Sequence, residues 1–179
     1  MPDATGLELI AAEVRDQVGE DAVVQTVYFR ERATLEVAPG RAREVLGYLK
    51  SDAGEPFEHL MSLHACDYYP EEPRLGVHYE LLSMERVERL NVKTRLTTDE
   101  PELPTVVDLW PTADFQEREA FDMFGVRFDG HPDLRRILMP EDYEGFPQRR
   151  DFPMGGEPVL FSVHEATGND YTIGSDKPA

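Results

Sequence analysis

Histidines, a cysteine and carboxylates gathered in short stretches are the residues of this sequence that could do chemistry. His59, His64, Cys66 and Asp67 lie within nine positions, a grouping that could bind a metal ion. On a β-strand, however, His64 and Cys66 would share one face while the other two take the opposite face, so the donors cannot converge without a bend. We therefore interpret these residues as partly buried polar side chains of a sheet and reject a metal site.

A second candidate is His131, in the sequence GHPDLRR. Its imidazole has a reference pKa of about 6.5 and could act as an acid or a base. No other histidine or cysteine lies near it in the sequence to form a relay. Because a glycine precedes His131 and a proline follows it, the favoured interpretation is a hydrogen-bond partner that stabilises a turn.

Motifs that would assign an enzyme class are absent from the sequence. It has no Gly-x-Gly-x-x-Gly after a strand, no Gly-x4-Gly-Lys-Ser/Thr loop for phosphate and no nucleophile elbow. Cys66 is the single cysteine, so this chain alone can form neither an internal disulfide nor a four-thiolate cluster.

The sequence EREAFDMFG, residues 117–125, is the remaining candidate and predicts a helix. Asp114 can cap this helix, Glu117 can complete a capping box as its third residue, and Gly125 can end it. Arg118 and Asp122 lie four residues apart on one face of the helix and can pair there.

Glu117 falls within the apolar arc of this helix, which consists of Ala120, Phe121, Met123 and Phe124. A carboxylate there is costly to bury unless an arginine or several donors meet it. The arginines just downstream that could fold back to it are Arg127, Arg135, Arg136, Arg149 and Arg150. Two interpretations stay open: the arginines form a self-contained ion network that holds an irregular loop, or some of them meet carboxylates of another polypeptide.

The length and charge of the chain limit which classes of protein are possible. The chain has 179 residues, with 36 acidic and 18 basic side chains and a net charge of −18, which predicts one domain and argues against a general nucleic-acid binder. The longest apolar run, residues 9–12, is too short to cross a bilayer. No basic residue precedes Arg15 and no long apolar stretch begins the chain, so we expect no secretory signal and a cytoplasmic location.

Hydrophobic periodicity predicts the elements that must position the candidate residues. Helical spacing indicates helices at 5–18 and 41–51, while β-branched runs and period-two alternation indicate strands. Two strands are predicted at 22–29 and 32–38, joined by Arg30-Glu31. Two more are predicted on either side of a turn at 69–73. A further strand is predicted at 87–96, and a polar loop follows at 97–104. This order predicts an α+β fold for residues 1–110, with a mostly antiparallel sheet and helices on one face.

The C-terminal third of the sequence has a different, proline-rich pattern. Five prolines lie between residues 132 and 158, so neither a helix nor a paired inner strand can persist there. The stretch is nevertheless rich in apolar residues, and we infer that part of it lies on another polypeptide. We therefore predict that residues 111–155 are a helix and an irregular docking segment of the same domain, and that residues 156–179 are a polar tail.

The spacing of the candidate residues resembles the signature of one family. Glu117-Arg118-Glu119 is followed after two residues by Asp122-Met123-Phe124, after six more by His131, and then by Arg135. The sequence MPEDYEGFPQRRDFP, residues 139–153, is similar to the ending typical of that family, although Gln148 stands where Leu or Phe is common. The family is the thirty-kilodalton subunit, also called the C subunit, of the proton-pumping NADH:quinone oxidoreductase known as respiratory complex I.

The resemblance implies a non-catalytic component of the peripheral arm. It implies contact with the forty-nine-kilodalton subunit, also called the D subunit, which helps to form the quinone site, and with the neighbouring cluster-bearing B subunit. No cofactor is expected in this chain, whereas FMN and iron–sulfur clusters are expected on partner subunits. The complex transfers electrons from NADH to quinone and translocates protons, and this chain would lie on the cytoplasmic side of the cell membrane, attached through the complex.

The residues that the resemblance assigns to the signature and to interfaces are Glu117, Arg118, Glu119, Asp122, Phe124, His131, Arg135, Arg136, Arg149, Arg150 and Asp151. Two alternatives remain from the sequence. One is the equivalent subunit of an energy-converting hydrogenase or of a deazaflavin-dependent dehydrogenase complex. The other is an independent enzyme that uses His131 with a carboxylate.

Overall fold

A computed structural model describes residues 2–51, 53–54 and 56–153 of the chain. The residues from 154 onward, including the predicted tail at 156–179, lie outside this description. The elements, in chain order, are helix α1 (Ala4–Gln17), strands β1 (Val23–Phe29) and β2 (Arg32–Val37), helix α2 (Ala42–Ser51), strands β3 (His59–Asp67), β4 (Leu75–Ser83), β5 (Glu88–Leu96) and β6 (Glu102–Pro104), helix α3 (Ala113–Phe124) and strand β7 (Arg127–Asp129).

Strands β1 to β5 form one sheet in the order β1-β2-β5-β4-β3. The pair β2–β5 is parallel, and the other three pairs are antiparallel. The parallel pair arises because the chain leaves β2, passes through α2 and the β3–β4 hairpin, and returns beside β2 as β5. The predicted α+β class with a mostly antiparallel sheet is confirmed.

The turn between β1 and β2 follows from its backbone geometry. Arg30 and Glu31 have φ angles of 48° and 63°, so both central residues are left-handed. Two such residues make the turn type whose twist matches that of the flanking strands. The hairpin predicted at this dipeptide is confirmed.

The strands alternate between a helix-covered face and an open face. In β4, Leu75, Val77, Tyr79 and Leu81 are fully buried and share one core with apolar residues of all three helices. The residues between them, such as His78, point to the opposite face, which strand residues and the adjoining Tyr68 line. One sheet face therefore holds the core, and the other is open.

The polar loop predicted at 97–104 is only partly correct. Residues 102–104 form β6, which pairs in parallel with β7 in a separate two-stranded sheet. The backbone N–H of Thr105 extends this contact by donating to the carbonyl of Asp129 at 2.8 Å. The prediction failed because β6 pairs with a strand that follows α3, a long-range partner that local composition does not reveal.

After β7 the chain is irregular as far as the structure describes it. We call residues 130–153 the C-terminal ribbon; it contains neither helix nor strand, and each of its residues is exposed or half-buried. No helix among the described residues is both long and apolar enough to span a membrane.

Candidate functional site

Helix α3 and the C-terminal ribbon together form the candidate site. The helix ends at Gly125, whose φ of 76° is left-handed and whose N–H donates to the carbonyl of Phe121. A β-carbon at position 125 would stand 2.5 Å from the ring of Phe146 in the ribbon. Glycine is thus needed here for both the backbone angle and the close approach of the ribbon.

Asp122 is the residue that holds the ribbon to the helix. One of its carboxylate oxygens accepts hydrogen bonds from the backbone N–H groups of Ile137, Leu138 and Met139 at 3.0, 2.7 and 2.9 Å. The other oxygen lies 2.7 Å from Nη1 of Arg136, and the Asp122 side chain is fully buried. We call this arrangement the Asp122 anchor.

Arg136 extends the anchor into the rest of the ribbon. Its Nη1 also donates to the backbone carbonyl of Asp122, and its Nη2 donates to the carbonyls of Tyr143 and Gly145 at 2.8 and 3.0 Å. The guanidinium lies 5.6 Å from the ring centroid of Phe146. One side chain therefore closes residues 136–146 into a loop on the surface of α3.

The hydrogen bonds at the anchor decide the protonation of Asp122. Burial alone would raise the pKa of this carboxyl. The hydrogen bonds from Met139 and Arg136 outweigh that effect, so the pKa lies below its ordinary value. The carboxylate is therefore ionised at neutral pH, as its donors require.

The predicted pairing of Arg118 with Asp122 is wrong. Arg118 instead donates to the backbone carbonyls of Arg135 and Arg136 at 3.2 and 3.3 Å. Four-residue spacing permits a pair on the helix surface, but Asp122 turns inward beneath the ribbon, where Arg136 and backbone donors compete for it. Both residues nevertheless bind the ribbon, each through its own contacts.

Arg149 joins the far end of the ribbon to the end of α3. Its Nε donates to the carbonyl of Phe124 at 2.7 Å, and its guanidinium lies 4.6 Å from the ring centroid of Phe146. The backbone N–H of Gln148 donates to the carbonyl of Met123 at 3.2 Å. These contacts satisfy carbonyls at the helix C-terminus, which have no partner within the helix itself.

A second ionic contact fastens the ribbon beside the β3–β4 turn. Arg74, almost fully buried, contacts both carboxylate oxygens of Asp67 and both oxygens of Asp151. The N–H of Arg150 donates to Asp67 at 2.7 Å, and its guanidinium donates to the carbonyl of Tyr69. The hydrogen bond from Arg74 holds the pKa of Asp67 far below its ordinary value.

The capping box predicted for Glu117 is wrong. The N-cap residue is Thr112, without a side-chain cap bond, and the Glu117 carboxylate turns into the protein, where it is fully buried. It accepts hydrogen bonds from the hydroxyl of Thr105 at 2.6 Å and from the N–H of Val106 at 2.8 Å. The predicted need for donors is met by this turn, and not by the downstream arginines. Burial raises the pKa of Glu117.

His131 lies in a turn, as its sequence context indicates. Its Nδ1 accepts a hydrogen bond from the N–H of Asp133 at 3.0 Å, so its proton lies on Nε2. That nitrogen is 3.2 Å from the backbone carbonyl of Asp114 and 3.9 Å from the Glu117 carboxylate. With its side chain fully buried, the imidazole ties the start of the ribbon to the first turn of α3.

The outer surface around the anchor is partly apolar. Leu138, Phe115 and Ile137 are 60%, 62% and 37% exposed. Glu119 is exposed, and the exposed Arg135 pairs with Asp133 at 2.9 Å. Of the five downstream arginines, Arg136, Arg149 and Arg150 donate hydrogen bonds within the chain, whereas the side chains of Arg127 and Arg135 are exposed.

Sequence reasoning missed Arg74 and Thr105 as parts of this site. A signal for Arg74 exists, because it follows the turn 69–73 and stands one residue before Leu75, the β4 partner of Asp67. The His59–Asp67 stretch forms β3, whose register shifts between Leu60 and Ser62. Within the described residues, no group of three or more His, Cys, Asp or Glu side chains is arranged to hold a metal ion.

Comparisons with known proteins give the family context. The model of the family described as "Respiratory-chain NADH dehydrogenase, 30 Kd subunit" matches residues 35–158. The C subunit of NADH-quinone oxidoreductase from Roseiflexus sp. is 39% identical over 165 residues, covering 92% of each chain. Its counterpart from Saccharopolyspora erythraea is 45% identical over 149 residues, which are 83% of this chain and 60% of that protein. The chain thus spans about 60% of the length of some curated relatives.

Two solved structures share the fold. One is described as Nqo5 of the trypsin-resistant fragment (1-134), with a TM-score of 0.61, 30% identity and coverage of 72% of this chain and 98% of that one. The other belongs to the membrane-bound sulfane sulfur reductase, an archaeal respiratory membrane complex, with a TM-score of 0.65, 25% identity and coverage of 92% and 96%. The sequence signature, the family match and the shared fold agree: this chain belongs to the family of thirty-kilodalton subunits of NADH-quinone oxidoreductase, respiratory complex I.

Proposed function

We propose that this chain is a non-catalytic, structural component of the peripheral arm of a NADH:quinone oxidoreductase. It would bind the forty-nine-kilodalton subunit, which helps to form the quinone site, and the neighbouring cluster-bearing subunit. FMN and iron–sulfur clusters would be carried by partner subunits, and the complex would couple electron transfer from NADH to quinone with proton translocation. The chain would lie on the cytoplasmic side of the membrane, attached through its partners.

The observation that carries this proposal is the Asp122 anchor. A buried carboxylate fixes three successive backbone N–H groups of an irregular ribbon whose apolar side chains, Ile137 and Leu138, then face outward. An exposed apolar surface on a rigid support is typical of a protein–protein interface. The backbone anchoring also lowers the entropic cost of docking, because the ribbon is ordered before it meets a partner.

The polar groups of the site favour a structural role over a catalytic one. Both ring nitrogens of His131 have partners, and Glu117 accepts two hydrogen bonds within a fully buried pocket. A general base needs a lone pair that a substrate can reach. An independent enzyme that uses His131 with a carboxylate is therefore the weaker hypothesis.

The test is to tag the chain, extract membranes with a mild detergent and identify what elutes with it. We expect the forty-nine-kilodalton and cluster-bearing subunits, FMN, iron–sulfur proteins and NADH-dependent quinone reduction in the eluate. A chain that elutes alone from membranes in which the other subunits are abundant would contradict the proposal. Turnover by the purified chain alone would support the enzyme hypothesis instead.

A second candidate is the equivalent subunit of a related respiratory complex. The shared fold with a chain of the sulfane sulfur reductase complex favours it, because that similarity covers 92% of this chain. An energy-converting hydrogenase or a deazaflavin-dependent dehydrogenase complex would use the same scaffold with a different electron-input module. Supplying the eluted complex with NADH, hydrogen or reduced deazaflavin separates these candidates, since only one donor should reduce the acceptor at a high rate.

A further inference from the structure

The open face of the sheet bears a groove that the proposed docking ribbon does not use. This open-face groove has a volume of about 430 Å³ and is lined by side chains from β2, β3, β4 and β5. They include Arg32, Thr34, His64, His78, Arg89 and Asn91. No helix residue lines it, so it is separate from the Asp122 anchor on α3.

The polar side chains on the floor of the groove are already hydrogen-bonded to one another. Asn91 donates through Nδ2 to Glu80 at 2.6 Å, which leaves its Oδ1 to accept from Nδ1 of His78. Nε2 of His78 then accepts from the hydroxyl of Tyr68 at 2.8 Å. The ring of His78 also stacks on His64 at a centroid distance of 5.0 Å. Burial lowers the pKa of His78 to about 4, so the ring is neutral at pH 7.

Two arginines of the groove have no such partners. The parallel pairing of β2 with β5 begins at Thr34 and Asn91, so Arg32 and Arg89, each two residues earlier, lie on the same face of the two neighbouring strands and both line the groove. Both are exposed, and neither makes an ion pair or a side-chain hydrogen bond within the described part of the chain. Two like charges on neighbouring strands repel each other. An anionic group between them would remove that repulsion and gain charge-assisted hydrogen bonds.

One border of the groove is apolar, and this border favours a peptide over a bare anion as the ligand. On the neighbouring strand β1, Val27 pairs with Thr34 of β2 and Phe29 pairs with Arg32 of β2. Val27 and Phe29 beside the groove are 39% and 64% exposed, and Met61, which lines the groove, is 43% exposed. A nucleic acid or free phosphate would leave this apolar border uncovered. An acidic segment with apolar neighbours would cover both kinds of surface.

We infer that the open-face groove binds an acidic segment of a partner polypeptide, whose carboxylates lie on Arg32 and Arg89 and whose apolar residues cover Val27 and Phe29. This inference rests on the proposed function, because the partner would be another subunit of the complex. It adds a second docking surface, on the sheet face opposite to α3.

The experiment places the photo-crosslinking residue p-benzoylphenylalanine at Met61 in the tagged chain and irradiates the intact complex after mild extraction. We expect an adduct with a segment of another subunit rich in Asp or Glu. Arg32→Glu and Arg89→Glu should each lower its yield at least about fivefold. The matched control is Arg15→Glu on α1, which makes the same charge reversal on the helix-covered side of the sheet. It should leave the yield unchanged. Because Arg32 and Arg89 are exposed, their substitution should not alter the thermal unfolding of the purified chain.

Three outcomes would overturn this inference. They are an intact complex that gives no adduct, an adduct with a second copy of this chain, and an adduct whose yield the two charge reversals leave unchanged. If the partners elute with the chain but no adduct forms, the groove inference fails while the proposed function stands. If no partner elutes, both fail together.

Discussion

The carboxylate of Asp122 lies 2.7 Å from Nη1 of Arg136, and this buried pair joins helix α3 to the C-terminal ribbon. The pair does not stand alone, since three backbone N–H groups share the same carboxylate. An irregular segment of 24 residues, 130–153, therefore has a defined place on the domain without a helix or strand of its own. This relationship leads to predictions for stability, pH dependence, proteolysis and assembly.

Replacing Asp122 should be costly. Asp122→Ala leaves the Arg136 guanidinium and three backbone donors without their acceptor, and we expect the free energy of unfolding to fall by about 3 kcal/mol. Urea denaturation of the purified chain measures this. The matched control is Asp133→Ala, because Asp133 is in an exposed pair with Arg135 and should change stability by less than about 1 kcal/mol. Equal effects of the two substitutions would contradict the role of the anchor.

The buried carboxylates should make the protein sensitive to acid. The pKa values of Asp67 and Asp122 both lie below the ordinary value of 3.8. The folded state therefore holds protons less tightly than the unfolded state, so the stabilisation is present above about pH 4 and is lost as the pH falls below it. Denaturation at a series of pH values from about 7 to about 3 should show this loss, and Asp67→Asn should reduce its slope.

Glu117 should change the dependence of stability on pH in the opposite direction, so it serves as an internal control. Burial raises its pKa above the ordinary value of 4.5, so the folded state binds this proton more tightly than the unfolded state. Its contribution to stability should grow as the pH falls from about 7 towards about 4.5. The stability of the unsubstituted chain relative to Glu117→Gln should increase over that range. A constant difference would show that the carboxyl is not desolvated as described.

Gly125 should tolerate no side chain. Gly125→Ala would force alanine into a left-handed φ and against the ring of Phe146, which should lower the free energy of unfolding by more than about 1 kcal/mol. The matched control is Gly47→Ala in helix α2, where a β-carbon meets no atom within 4 Å. That substitution should raise stability by about 0.5–1 kcal/mol, because alanine favours the helix. Thermal unfolding of both variants would show shifts of opposite sign.

The ribbon should be the first part of the isolated chain that trypsin cleaves. Arg135 and Arg150 are exposed and lie in irregular backbone, whereas most arginines of the sheet lie in paired strands. Mass spectrometry of a short digest should show cleavage after these two residues before any cleavage within β2 to β5. Cleavage there should be suppressed in the assembled complex. Cleavage within β2 to β5 before any cleavage after Arg135 or Arg150 would contradict this prediction.

The elements that the sequence predicted are those with strong local patterns. Helix α1 and the β1–β2 hairpin follow from apolar spacing and from a turn dipeptide, so their limits agree with the structure within one or two residues. Strand β6 was missed because its partner β7 lies beyond α3, and its own three residues hold no pattern. Hydrophobic periodicity reveals a strand only when the strand is long enough to show several alternating apolar and polar residues.

The site was predictable in composition but not in pairing. The sequence indicated that Glu117 needs donors and that several arginines lie downstream, and both statements hold. It could not indicate that Thr105 and Val106 would meet Glu117, or that Arg136 would reach Asp122, because helical spacing describes neighbours on one helix and not the segment that folds over it.

The most direct test of the account compares what elutes with tagged chains that carry Leu138→Glu or Leu9→Glu. Both leucines are exposed, at 60% and 67%, so both variants should fold, but only Leu138 lies on the anchored ribbon, whereas Leu9 lies on α1. We predict that Leu138→Glu loses at least about tenfold of the co-eluting subunits, while Leu9→Glu retains them. Full recovery of partner subunits with Leu138→Glu would contradict the claim that the ribbon is a docking surface.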